Sequence, residues 1–177
     1  MDTTQILNNN NMKAILITND EIKRYSPIKG NLDDDKLSAY IEIAQDIHLQ
    51  SYLGSKLYDK IQEYALANAL PTEYELLVID YIKPMLMRWA LVEYMPFAAY
   101  TIANNGVFKH NAENSSDVSK EEIDVLTLKY TKIAIHYTQR LVDFMCDNST
   151  DYPEYNDNIG SDMKPLRNVS YGGIYLD

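Results

Sequence analysis

The sequence predicts an all-α protein, a small bundle of about four to five helices with a kinked central helix and extended N- and C-terminal arms. Three observations lead to this prediction. Apolar residues recur at spacings of three and four over several segments. The Ser/Thr-x-x-Glu spacing that opens helices occurs at Thr18, Thr72 and Ser119. Six glycines and six prolines in 177 residues are few for the many turns of an all-β chain.

The chain opens with a polar stretch. Residues 1–12 are predicted to be a flexible arm, because the tract Asn8–Asn11 has nothing to bury. Met12 is an alternative start. The short apolar run from Lys13 to Thr18 predicts a brief strand or an extended segment that packs on the helices. The Thr18 capping box then predicts a short helix to about Tyr25.

Two amphipathic helices are predicted between residues 31 and 68. The first begins near Asn31, and Gly54 is its natural terminator. Its apolar face comprises Leu37, Tyr40, Ile41, Ala44, Ile47 and His48. The second ends before Pro71, and its face comprises Leu57, Ile61, Tyr64, Ala65 and Asn68.

The segment from Thr72 to about Ile102 is apolar nearly all round, which predicts a central, buried helix. Pro84 and Pro96 lie inside it. Each lacks a backbone N–H and clashes with the preceding turn, so each predicts a kink, a break or a first-turn position. The Asn104-Asn-Gly106 run predicts a turn, followed by a polar loop over 107–118.

The last predicted helix opens at the capping box Ser119-Lys-Glu-Glu122 and runs to about Cys146. Apolar residues at spacings of three and four predict its buried stripe. The stripe comprises Ile123, Leu126, Tyr130, Ile133, Tyr137, Leu141 and Phe144. The sequence thus predicts a helical domain over 13–146.

Residues 147–177 are predicted to be an extended C-terminal tail. They are rich in Asp, Asn, Ser and Pro, yet tyrosines recur through them. A polar segment with interspersed aromatics is typical of one that orders on a partner, and a plain disordered tail is the alternative. The candidate interaction residues are Tyr152, Tyr155, Val169, Tyr171, Ile174, Tyr175 and Leu176.

The net charge of −10 argues against a protein that grips nucleic acid. The 16 Lys and Arg residues are scattered along the sequence and form no basic cluster. Passage beside DNA without binding it is compatible with this charge, because like charges repel. The single cysteine, Cys146, forms no intramolecular disulfide, which fits a reducing compartment.

The sequence predicts no catalytic, cofactor or metal site, and therefore no enzyme. His48, His110 and His136 stand apart from one another and from Cys146, so zinc-ligand spacing is missing. The run Asp33-Asp-Asp35 lacks the pattern of a calcium loop, and acids there favour the positive end of a helix dipole. A carboxylate pair that only folding brings together is the enzymatic alternative.

Several short stretches together resemble a known protein family, through helix pattern and proline placement over roughly residues 13–157. They are Tyr81-Ile-Lys-Pro84, Trp89-Ala, Met95-Pro96-Phe97, Asn104-Asn-Gly-Val107, Asn114-Ser-Ser-Asp-Val-Ser119, Glu122, Tyr130, Ala134, Tyr137 and Leu141. The chain resembles the head-to-tail connector proteins of tailed bacteriophages, the adaptor rings below the portal, and in particular those of crAss-like phages.

The resemblance implies a structural virion protein at the head–tail junction. Identical subunits, twelve in such rings, would dock under the portal protein and receive other tail or ring proteins. DNA would pass through the lumen without specific binding, and no membrane would be involved. The resemblance implies assembly in the host cytoplasm. The alternative is a non-viral helical protein–protein adaptor of the bacterial cytoplasm.

Overall fold

The chain folds as an all-α protein, as the sequence predicts. The computed structural model describes residues 13–25, 34–98, 100–103, 106–109, 119–171 and 174–175. The helices are α1 Asn19–Tyr25, α2 Asp34–Ala44, α3 Gln50–Leu53, α4 Ser55–Leu66, α5 Thr72–Leu77, α6 Lys83–Tyr94, α7 Lys120–Asp147 and α8 Pro153–Asn156. Two small hairpins accompany them, β1 Tyr100–Ala103 with β2 Gly106–Lys109, and β3 Ser170–Tyr171 with β4 Ile174–Tyr175.

Helix α6 is the centre of the core and packs between α2 and α7. Its apolar sequence is buried on nearly every side, as predicted for the central segment. Helices α6 and α7 run antiparallel. Trp89 Nε1 donates to Thr138 Oγ1 at 2.9 Å. Thr127 lies earlier along α7, and its Oγ1 is 3.8 Å from Sδ of Met95, which directly follows the end of α6.

The segment before α1 is extended and packs on the helices, which is one of the two predicted forms. Two glutamine side chains hold it. The Leu16 N–H donates to Gln45 Oε1 at 2.8 Å, and the Ala14 N–H donates to Gln62 Oε1 at 2.6 Å. The capping box at Thr18 is confirmed, since Thr18 and Glu21 exchange both hydrogen bonds. The predicted arm, 1–12, lies outside the described residues.

Two π turns interrupt the helical segments, Gln45–Leu49 after α2 and Val78–Ile82 before α6. A π turn accommodates one extra residue, so the side chains after it are rotated relative to an α-helix. The prediction that Ile47 lies on the buried face is therefore wrong. Ile47 is exposed, and Gln45 and Leu49 face the core instead. The predicted helix start near Asn31 lies outside the described residues.

Gly54 ends the α2–α3 segment, as predicted, with a φ of +74°. A second constraint acts on this glycine. A Cβ atom placed there would lie 2.7 Å from Cδ of Pro165, far closer than side-chain carbons approach one another. The position thus requires glycine both for its backbone angle and because the chain after α8 passes against it.

Both prolines of the central segment lie in the first turn of a helical element, which is one of the predicted placements. Pro84 occupies the first turn of α6, directly after the π turn, and Pro96 lies in a 3₁₀ turn, Met95–Phe97. The helix does not continue to Ile102, which is a correction. Tyr100–Ala103 forms β1, because aromatic and β-branched residues flank the sequence Asn105-Gly106, and an Asn-Gly pair favours a hairpin. Residues 104–105 and 110–118 lie outside the described residues.

The predicted capping boxes at Thr72 and Ser119 have different outcomes. Pro71 is the N-cap of α5, and Thr72 is its first helical residue, so the Thr72 box is wrong. The Ser119 box is confirmed. The Glu122 N–H donates to Ser119 Oγ at 3.2 Å, and the Ser119 N–H donates to Glu122 Oε2 at 2.9 Å. Helix α7 then runs to Asp147, one residue beyond the predicted end.

The buried side of α7 differs from the predicted stripe. The buried residues are Thr131, Ala134, Thr138, Leu141, Val142 and Met145. Leu126 and Ile133, both predicted to be buried, are exposed. The small residues Thr131 and Ala134 allow close packing on α6, and Thr138 satisfies the indole N–H of Trp89. These local contacts select a seam about one residue away from the most hydrophobic one.

Candidate interaction surfaces

The tail does not present its first tyrosines to a partner. Tyr152, Tyr155 and Val169, three of the predicted interaction residues, are buried in the core of their own chain. Tyr152 packs edge-on against Tyr74, with ring centroids 5.4 Å apart, and its hydroxyl donates to the Glu73 carbonyl at 3.0 Å. These side chains stabilise the fold, which corrects their assignment to an interface.

Backbone hydrogen bonds tie the later part of the tail to the α3–α4 junction. The Ser55 N–H donates to the Met163 carbonyl at 2.9 Å, and the Leu166 N–H donates to the Ser51 carbonyl at 2.9 Å. Ser55 Oγ also accepts from the Met163 N–H at 3.0 Å. The expectation that the whole tail orders only on a neighbouring subunit is therefore wrong for residues 147–169.

The end of the tail forms a hairpin with itself. Tyr171 pairs with Ile174, and Ser170 pairs with Tyr175. Leu176 lies outside the described residues, so the prediction that the end of the chain contacts a partner stays a prediction.

The first half of α7 carries several strongly exposed aliphatic side chains. Val125 is 67% exposed and Leu128 is 56% exposed. At 3.6 residues per turn these two side chains share a side of the helix with Lys129 and Lys132, opposite the buried seam. We call these four residues the α7 face. Between residues 120 and 130 no side chain of α7 is buried, so the core does not account for its aliphatic residues.

The α7 face is basic within an acidic chain. Residues 125–142 contain Lys129, Lys132 and Arg140 and no Asp or Glu, although the net charge is −10. Among the described residues, Lys129 and Lys132 have no carboxylate within ion-pair distance. Arg140 differs from them, because its guanidinium lies over the Tyr81 and Tyr137 rings at 5.7 Å. The face thus combines apolar area with two free cations.

A second exposed surface lies on α5 and the π turn that follows it. Thr72, Glu75, Leu76, Ile79 and Asp80 line a shallow cleft of about 250 Å³, which we call the acidic cleft. Leu76 and Ile79 are 49% and 50% exposed. Residues 61–82 contain four acids and no Lys or Arg, so the cleft is the electrostatic opposite of the α7 face. Glu75 also lines an adjoining cleft of about 400 Å³ beside Ile15 and Tyr64.

The histidines do not form a metal site within the described residues. The His48 ring stacks on Trp89 with centroids 3.7 Å apart, and its Nε2 lies 2.8 Å from Glu93 Oε1. Burial lowers the pKa of His48 although Glu93 opposes the shift. In the described part of the chain no three His, Cys, Asp or Glu side chains are grouped to hold a metal ion. His110 and Asp33 lie outside that part, and Cys146 is exposed.

The fold is that of a small helical protein with two exposed surfaces of unlike charge. The chain belongs to a family of unknown function (DUF6712), whose model matches residues 49–164, more than half of the chain. No curated protein and no solved structure matches it. None of the helices in the described ranges is long and apolar enough to cross a membrane.

Sequence reasoning missed both surfaces, although the sequence carries a signal for them. Ile123, Val125, Leu126 and Leu128 point to more than one side of a helix, so a single buried stripe does not account for them. The charges are also segregated between residues 61–82 and 125–142. The tail tyrosines were the more conspicuous feature, and the first two of them, Tyr152 and Tyr155, belong to the core.

Proposed function

We propose that the chain is a structural virion protein that forms a ring at the head–tail junction of a tailed bacteriophage. The ring links the portal protein to tail components and lets DNA pass through its lumen. The observation that carries this proposal is the exposed aliphatic face on the first half of α7. An apolar helix face with free cations favours a protein neighbour, because water solvates its aliphatic side chains poorly.

The position of the proposed interface at the head–tail junction comes from the resemblance to phage connector proteins. Two features of the chain support it. Pro84 and Pro96 interrupt the central segment at the places that the resemblance rests on. The chain is also acidic, which suits a lumen that DNA passes without sticking, because phosphate contacts require Lys and Arg.

The test is to locate the protein in purified phage particles. We expect an antibody against the chain to label the neck between head and tail in electron micrographs. We also expect the chain to be present in a fixed, small number of copies per particle, and twelve is the number that the resemblance implies. Absence from the particle, with the protein found in uninfected bacterial cytoplasm, would favour the non-viral adaptor instead.

The DNA part of the proposal has a separate test. Purified protein should show no useful affinity for duplex DNA at physiological salt, since its net charge is −10 and its Lys and Arg residues are scattered along the sequence. An electrophoretic mobility assay over a range of salt concentrations measures this. Tight binding that weakens steeply with added salt would show that this expectation is wrong.

A further inference from the structure

We infer that the α7 face of one copy docks into the acidic cleft of the next copy. This inference deepens the proposed function and rests on it, because it names the two surfaces through which the ring closes. The inference is based on two exposed apolar surfaces of opposite charge, the α7 face and the acidic cleft. They lie at different ends of the α6–α7 pair.

The two surfaces cannot meet within one chain. Tyr81, next to the cleft, stacks on Phe144 of α7 with ring centroids 4.1 Å apart. Lys129 precedes Phe144 by fifteen positions, which at about 1.5 Å per residue places it roughly 22 Å away along the helix. The α7 face therefore lies at the other end of the α6–α7 pair, near Met95.

The surfaces are complementary in polarity, and their charges have similar spacing. The face offers Val125 and Leu128 with two lysines beside them, and the cleft offers Leu76 and Ile79 between two carboxylates. Lys129 and Lys132 lie one turn apart, and Glu75 and Asp80 are separated by little more than one turn. Among the described residues, Glu75 and Asp80 have no cation within ion-pair distance.

The charges disfavour symmetric contacts in which like residues meet. Lys129 and Lys132 of two α7 faces would then oppose one another, and two clefts would oppose carboxylate to carboxylate. Contact between a face and a cleft is heterologous, since each copy offers one surface and receives on the other. Such contacts generate a closed ring when the rotation between copies closes, and a filament when it does not.

The experiment uses the full chain with matched charge reversals. The face variant carries Lys129→Glu and Lys132→Glu, and the cleft variant carries Glu75→Lys and Asp80→Lys. We expect each variant alone to associate at least about tenfold more weakly than the natural chain. An equimolar mixture should associate again, because each variant then meets a cleft or face of opposite charge. Lys164→Glu, at an exposed lysine in the tail, is the matched control and should change nothing.

A disulfide trap locates the contact. Leu128→Cys and Ile79→Cys are combined in a chain that carries Cys146→Ser, and oxidation should produce a ladder of covalent oligomers. The control combines Leu128→Cys with Ile159→Cys in the exposed tail and should give no ladder, because a disulfide needs Cβ atoms about 4 Å apart. Circular dichroism of every variant checks that the helices are intact.

The outcomes separate this inference from the proposed function. If the natural chain assembles and appears at the phage neck, but the reversals and the disulfide trap have no effect, the inference is wrong and the ring closes through other surfaces. If the natural chain neither associates nor forms the disulfide at any concentration, the inference is wrong, and labelling of the particle still decides the function. If the face variant loses binding to duplex DNA and no ladder forms, the face is a nucleic-acid surface.

Discussion

The two halves of α7 are one continuous helix with opposite environments. The second half, from Thr131 onward, places a buried residue against α6 at every turn. The first half, from Lys120 to Tyr130, places none in the core, yet it is as rich in aliphatic side chains. Hydrophobicity alone therefore does not decide burial. What distinguishes the halves is whether the chain supplies a neighbour, and the first half extends past the end of α6.

The largest expected effect comes from making the same substitution, leucine to alanine, in each half of α7. Leu141→Ala, at a fully buried site, should lower the free energy of unfolding by about 2–5 kcal/mol, because it leaves a cavity. Leu128→Ala, on the exposed first half, should change it by less than about 0.5 kcal/mol. Urea denaturation followed by Trp89 fluorescence measures both. Equal losses would mean that the first half is packed against its own chain.

The segment after α7 allows a second comparison, since it continues the buried half and packs back on the α3–α4 junction. Gly54→Ala should destabilise the protein by about 2–4 kcal/mol, because it adds backbone strain at φ +74° and a clash with Pro165. Gly160→Ala has a similar φ of +68° but open space around it, so about 1 kcal/mol is expected. The difference between the two melting transitions measures the contact with Pro165. Equal destabilisation would show that Pro165 moves away and relieves the clash with the added Cβ atom.

Periodicity predicted most of the helices, because the residues that start and end a helix lie close together in the sequence. The Thr18 and Ser119 caps, the Gly54 terminator and the two first-turn prolines all depend on a few adjacent residues. The π turns could not be predicted in this way. The position of their extra residue depends on contacts between distant segments, such as the hydrogen bond from the Leu16 N–H to the Gln45 side chain. Consequently the exposure of Ile47 was predicted wrongly.

Three of the candidate interaction residues, Tyr152, Tyr155 and Val169, were wrongly assigned to an interface for a related reason. The polar composition of 147–169 suggested that it could not order alone, but its backbone groups bond to Ser51 and Ser55 and its tyrosines fill gaps beside α5. Conversely, the aliphatic residues of α7 suggested core. Composition describes what a segment can bury, whereas the length of the neighbouring helix decides what it does bury.

The Ser119 cap sharpens the contrast between the halves. Because the first half of α7 has no buried side chain, its helix depends on local terms such as this cap. Ser119→Ala should cost about 1 kcal/mol and increase amide exchange in the first turns of α7 only. Thr72→Ala, at a position that does not cap α5, should cost less than about 0.5 kcal/mol. Faster exchange also in the second half would mean that α7 frays as one unit.

The smallest expected effect is a dependence of stability on pH that reports on the buried half. His48 stacks on Trp89, whose indole donates to Thr138 in that half. Burial lowers the pKa of His48 in the folded chain below its ordinary value of 6.5, against the opposing effect of Glu93. Between the folded and the ordinary pKa the unfolded chain therefore binds more protons, so stability falls as the pH drops below about 6.5.

His48→Gln should remove this contribution to the slope, and His136→Gln, at an exposed site on α7, is the matched control that should retain it. Urea denaturation of the three proteins at a series of pH values measures the slope. The single tryptophan, Trp89, lies against the imidazole and serves as the probe. A stability that rises as the pH falls through this window would show that Glu93 outweighs burial, and that protonated His48 strengthens the contact between α6 and the second half of α7.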